Sequence, residues 1–185
     1  MSGILIVGLN GAGKTTLGRV LAEALGFRRM DVEDYYFPPV PPSGNPYAVS
    51  RTKEQVRLRM LEDIRSDGRF VLSAVNGDWG DEILSNVGAI VALEAPREVR
   101  LARIDRRSAE RFGHRVAPGG DMFEQERRFR DIAAARSQQP IDEWLRIMRV
   151  PVLRLDSTQP VDRCLCAVIE WLATINPIGD CHALS

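Results

Sequence analysis

Four apolar residues, Ile4-Leu-Ile-Val7, run directly into Gly8-Leu-Asn-Gly11-Ala-Gly13-Lys14-Thr15-Thr16, and a helical pattern follows as far as Leu25. No other junction in the chain restricts the fold as much. A short apolar run bounded by glycine reads as a buried strand, and glycines at 8, 11 and 13 let the backbone curl where side chains would obstruct it. Such a curl turns successive N–H groups inward at a helix N-terminus, whose dipole adds to the positive field. Phosphate belongs in that concavity. The spacing G-x-x-x-x-G-K-[ST] is that of a phosphate-binding loop. Gly8, Asn10, Gly11, Ala12, Gly13, Lys14, Thr15 and Thr16 are therefore expected to hold a nucleoside triphosphate, with Lys14 on its β- and γ-phosphates and the Thr15 hydroxyl on magnesium.

Downstream, apolar runs alternate with amphipathic segments, the pattern of β-α-β units whose strands are covered by helices on both faces. Strands are expected at 4–7, 28–31, 70–75, 89–93 and 150–155. Gly26 should end the first helix. Residues 37–46 hold five prolines and must be an irregular loop. A second helix should open near Thr52, where Thr52 and Gln55 form a capping-box pattern and Val56, Met60, Leu61 and Ile64 share a face. Pro96 opens a long helix that breaks at Phe112-Gly113, and Pro118-Gly119-Gly120 turns the chain into another, capped by Asp121 with Glu124. These two form a protruding helical hairpin, a lid at about 103–122. The closing helix, from Pro160 to about Ile175, directs Leu165, Val168, Ile169 and Leu172 to the core. We expect a single α/β domain over 1–176, followed by a frayed tail at 177–185.

Composition narrows the function classes. Lys+Arg and Asp+Glu balance at 25 each, which counts against a polynucleotide partner. Of the basic residues only Lys14 and Lys53 are lysine. Cys164, Cys166 and Cys181 are too few and too crowded for a disulfide framework and read as reduced, structural thiols. With no membrane-length apolar run, the chain is expected to be cytoplasmic, as a monomer or homodimer.

Phosphoryl transfer to an alcohol needs a carboxylate to accept the hydroxyl proton and another near the metal. Asp31-Val-Glu-Asp34 supplies acids at the carboxyl end of the second strand, where α/β proteins place ligands. We assign Asp31 to the metal and Asp34 to the proton, with Asp78 as the competing carboxylate; a loop-solvating and capping role for these acids stands beside that assignment. In the lid Arg100, Arg103, Arg107 and Arg111 follow a 3-4-4 spacing on one helical stripe, and Arg115 follows the break. Arg103 and Arg107 are expected on the nucleotide and Arg111 and Arg115 on the transferring phosphate; a salt-bridged surface is the alternative. Ser157 and Thr158, after the last strand, are expected near the nucleobase, or else form a helix-capping turn. Tyr35, Tyr36, Phe37 and Trp79 are candidates for the wall of an acceptor pocket.

In these segments the chain resembles P-loop kinases of the adenylate kinase, shikimate kinase and gluconate kinase type over nearly its whole length. The loop Gly8–Thr16, the acids Asp31–Asp34 and the arginines Arg103–Arg115 carry the likeness. Asp34-Tyr35-Tyr36 is also similar to a segment of uridine-kinase-like enzymes, and Arg111–Val116 with Gly119–Met122 to uncharacterised bacterial P-loop ATPases. The resemblance implies a three-layer sandwich around a five-stranded parallel sheet in order 2-3-1-4-5, ATP and Mg2+ as cosubstrates, and a small-molecule phosphate acceptor bound between the strand-two acids and the lid. Asn76-Gly77-Asp78-Trp79 departs from the adenylate kinase pattern, which argues against a nucleoside monophosphate acceptor. The expected function is a small-molecule kinase acting on a hydroxyl- or phosphate-bearing acceptor. A nucleotide-dependent ATPase acting on a macromolecular partner and a polynucleotide 5′-kinase are the alternatives.

Overall fold

The computed structural model describes residues 3–41 and 44–175. Five parallel strands form one sheet: β1 (Gly3–Val7), β2 (Arg28–Asp31), β3 (Phe70–Ala74), β4 (Val87–Glu94) and β5 (Val152–Asp156), in the order β2-β3-β1-β4-β5. The register aligns Val7 with Ala74 on one side and with Ala92 on the other, so the chain leaves both central strands at one edge of the sheet.

Both faces of the sheet are covered, which is why its strands read as continuous apolar runs. On one face Leu5 and Val7 meet Met30, Leu72 and Ile90 under α3 (Lys53–Asp67), α4 (Asp81–Leu84) and α7 (Gln139–Arg146). On the other, Ile4, Ile6, Val71 and Val91 pack under α1 (Lys14–Leu25) and α8 (Val161–Ile175). Each fully buried side chain of this kind contributes about 1.5–3 kcal/mol relative to exposure. The two cores fix the sheet as a rigid base for the loops above it.

Helix boundaries follow local chemistry in most places. Gly26 ends α1 in the left-handed conformation, and Thr52 and Gln55 close the expected capping box before α3. Val56, Met60, Leu61 and Ile64 are buried along that helix. Besides the four-residue α4, two short helices lie outside the sequence expectation. The first is α2 (Val32–Tyr36), which turns the acidic segment into a helix capped by the Asp31 carboxylate; the second is α7, which opens with proline in its first turn. Within α8, Val168 is buried but Ile169 is 39% exposed, because it turns away from the stripe formed by Cys164 and Val168. The expected tail lies outside the described residues.

The lid is built from α5 (Arg97–Phe112), a 3-10 turn at Gly113–Val116 and α6 (Phe123–Ala135). A buried hydrogen bond from Ser108 to the Glu126 carboxylate and an ion pair of Arg130 with Asp105 at 2.7 Å fasten the hairpin. Asp121 does not cap α6. Arg115 takes its carboxylate at 2.7 Å, and the helix begins after Met122 without a side-chain cap.

Candidate active site

A cavity of about 1100 Å³ opens along the carboxyl edge of the sheet, bounded by the phosphate loop, α2, the residues after it, and the lid. Its floor is the loop from Asn10 to Thr16, together with Ser73, Ala74 and Val75 at the end of β3. Backbone conformation alone makes Gly11 and Gly13 obligatory, with φ of 81° and 94°. At Gly11 a Cβ would also stand 2.3 Å from the Arg100 carbonyl oxygen, so α5 presses its backbone against the loop. From the same side Arg100, itself buried, donates to the Asn10 carbonyl at 3.1 Å, and Arg136 donates to the Asn10 side chain at 2.7 Å. The loop is thus held in shape by the root of the lid.

Lys14, half-buried, donates to the Leu9 carbonyl at 3.1 Å. Desolvation lowers its pKa to about 8, against the pull of the Asp31 and Glu33 charges, with Arg107 and Arg136 adding to the depression. Thr15 donates to Asp31 Oδ2 at 2.7 Å, while Asp31 Oδ1 accepts the Glu33 amide at 3.0 Å and so caps α2. A hydroxyl and a carboxylate held together beside a phosphate loop are hard oxygen donors suited to Mg2+.

The acids of α2 diverge. Asp34 lines the cavity rim, but its carboxylate is 62% exposed and pairs with Arg29 at 2.6 Å. Glu33, which the sequence reading passed over, faces Arg107 at 4.0 Å and contributes to the field at both Lys14 and Tyr47. Its signal was present in the one-residue spacing Asp31-x-Glu33: with Asp31 as cap, the next acid is aimed by the first turn of the helix. Asp78 stands away from the cavity, in an ion pair with Lys53 at 2.8 Å.

The arginine stripe divides into separate tasks. Arg103 lines the cavity and donates to the Ser157 carbonyl at 2.6 Å and hydroxyl at 3.3 Å, and to the Gly11 carbonyl at 3.5 Å. Arg107 reaches the cavity between Glu33 and the Phe129 ring. Arg111 lines it too, donating to the Tyr47 hydroxyl at 3.1 Å. Arg115 is not on the cavity wall; besides Asp121 it donates to the Gly44 carbonyl at 3.3 Å. Arg136, at the end of α6, is a cavity residue that spacing along α5 could not reveal.

Ser157 is buried and lines the cavity with Gln159, while Thr158 does not. The Thr158 amide instead donates to Asp156 Oδ1 at 2.9 Å in a capping-type turn. Of the expected aromatic wall, Tyr36 and Phe37 line the cavity. Tyr35 turns to α3 and bonds Asp63, and Trp79 is buried with its indole N–H on the Asn76 carbonyl at 3.1 Å. Tyr47 and Phe129 complete the wall.

A parallel sheet in the order 2-3-1-4-5, a phosphate loop after its central strand and an arginine-bearing lid define the P-loop kinase class of nucleotide-binding folds. The chain belongs to the AAA domain family, whose model matches residues 4–128. It is similar to the uncharacterized protein YqaC of Bacillus subtilis (strain 168), 26% identical across 92% of this chain and 97% of that one. It is also similar to a shikimate kinase of Psychrobacter cryohalolentis, 30% identical across 54% of this chain and 58% of that one. Among solved structures, a gluconokinase from Sinorhizobium meliloti 1021 shares the fold with a TM-score of 0.57 at 17% identity, covering 94% of this chain and 93% of that one. Among the described residues no helix is long and apolar enough to cross a membrane.

Proposed function

We propose that the protein is an ATP- and magnesium-dependent kinase that transfers the γ-phosphate to a hydroxyl of a small acceptor. One observation carries the reading: a single cavity joins the phosphate loop to a lobe walled by α2 acids and aromatic rings, under an arginine-bearing lid. A nucleotide switch would need the first part of this cavity; only transfer to a second substrate uses the second.

ATP would lie with its phosphates over residues 10–16, its base toward Ser157 and Gln159, and Arg103 between them. Magnesium, held by Thr15 and Asp31, would supply neutralisation of phosphate charge. Loop amides, Lys14, Arg107 and Arg136 meet the charge on the transferring group, in a site fixed before the substrates arrive. Glu33 accepts the acceptor hydroxyl proton in our reading, in place of Asp34, whose carboxylate is occupied by Arg29. The hydroxyl oxygen bonds the γ-phosphorus as the bond to the β–γ bridging oxygen breaks and ADP leaves. Arg111 and Arg115 hold the lid against the Gly44–Tyr47 segment rather than the phosphate.

The test is ADP release from MgATP, alone and across a panel of nucleosides, nucleotides, sugars, sugar acids and antibiotics, with a search for phosphorylated product. Stimulation of tenfold or more by one compound, with its phosphate ester found, is the expected result. A rate indifferent to every compound would instead indicate an ATPase acting on a macromolecular partner.

A further inference from the structure

The acceptor lobe carries information about what enters it. Beyond the phosphate loop the walls come from Tyr36, Phe37, Pro38, Pro39, Val40 and Tyr47. Their rings adjoin one another, Tyr36 tilted against Phe37 with centroids 6.2 Å apart at 42°, and Phe37 edge-to-face with Tyr47 at 5.0 Å and 85°. Flat apolar walls of this kind bury rings and gain little from a fully hydroxylated chain.

Charge points the same way. Three carboxylates line the cavity on this side, Glu33, Asp34 and Glu110, with guanidinium partners Arg107 at 4.0 Å, Arg29 at 2.6 Å and Arg106 at 3.7 Å. An anionic acceptor needs an arginine free to grip it. Arg111, the cation of the aromatic wall, is committed to the Tyr47 hydroxyl and lies over the Tyr47 and Phe112 rings, 5.5 and 5.1 Å from their centroids. Arg136 is bonded to Asn10 of the phosphate loop at 2.7 Å, and Arg107 stands where the phosphate end meets Glu33. Nucleotide phosphates would compete with Glu33 for Arg107, and whatever share of its charge they take leaves the lobe more negative. A second anion would meet that field in a site of reduced dielectric.

We infer that the acceptor is a ring-bearing alcohol without negative charge, its ring against the wall that Phe37 and Tyr47 form together and its hydroxyl toward Glu33. This inference rests on the kinase reading and narrows it, since sugar acids, nucleoside monophosphates and ring-free polyols are excluded.

The experiment is calorimetric binding to the full chain with Mg2+ and a non-hydrolysable ATP analogue, followed by ADP release with ATP. The probes are adenosine, uridine and a benzyl glucoside, against the two 5′-monophosphates, glucuronate and the open-chain polyol ribitol. At least one of the first three should bind tenfold or more tightly than its anionic and ring-free counterparts. Tyr47→Ala should loosen that binding at least fivefold, with Phe37→Leu as the second probe of the wall should the first variant fold poorly. Glu110→Gln should narrow the gap between a nucleoside and its monophosphate. Tighter binding of a monophosphate, of glucuronate or of ribitol would overturn the inference, as would the absence of binding by all seven. Binding of a ring alcohol without phosphate transfer supports this inference and sinks the kinase reading; phosphate transfer to an anionic acceptor does the reverse.

Discussion

At the phosphate end of the cavity the chain works with backbone: a strand, a curl of glycines and the first turn of α1, braced by the backbone of α5. At the acceptor end it works with side chains carried on a five-residue helix and a proline-bearing segment, held by ring contacts and exposed ion pairs. Backbone recognition requires little of the surrounding sequence, because every residue offers the same N–H group. Side-chain recognition depends on where each carboxylate and ring is aimed, and that is decided by neighbours distant in the chain. The first region therefore defines what is common to a fold class and the second what distinguishes one member from another.

Substitutions can separate the two regions. Lys14→Ala removes the cation of the phosphate end and should lower kcat/KM by about a thousandfold, a loss measured by ADP release. At the other end Glu33→Gln should reduce kcat by about a hundredfold with nucleotide affinity retained, and Asp34→Asn should stay within about fivefold. The reverse order, with the larger loss at Asp34, would return the proton to the assignment made from sequence. The backbone itself is tested by Gly11→Ala, which meets both a positive φ and the Arg100 carbonyl. Urea denaturation should register about 2–3 kcal/mol, against about 1–2 kcal/mol for Gly26→Ala, where φ is 62° but no atom stands within 4 Å. A smaller effect concerns pH. Lys14, at about 8 in the free protein, should regain its ordinary basicity when phosphate arrives, so binding takes up a proton above that value. ATP affinity should be flat below pH 8 and fall by at most about tenfold per unit above it, and titration in buffers of different ionisation heat would count the proton.

This division also explains how much could be read from the sequence. Strands such as Ile4–Val7 and Phe70–Ala74 are buried on both faces, so composition alone marks them. Gly26, Thr52 and Gln55 act within a few residues of their own position and were legible for that reason. Asp121 looked like a cap in isolation, but Arg115 took its carboxylate. Capping was one reading of the Asp31–Asp34 acids, but no helix was expected there; once Asp31 caps α2, Glu33 and Asp34 leave it about 100° apart, and Arg29 claims the one that sequence reasoning preferred. α7 escaped notice since it opens on Gln-Gln-Pro without a side-chain cap, and its burial depends on Ile141 and Leu145 reaching the core. Arg136 lies 126 residues from Asn10, the partner that gives it meaning.

The contacts across the mouth of the cavity have a kinetic side. Asn45 bonds Gln125 at 2.9 Å, Arg111 bonds Tyr47, and Arg115 bonds the Gly44 carbonyl, so three polar contacts join the lid to the segment opposite it. Wherever a substrate has to part these three contacts to enter, the free energy of parting them raises its apparent KM. Weakening the latch should speed both entry and product escape, while turnover of the closed complex stays as the phosphate end dictates.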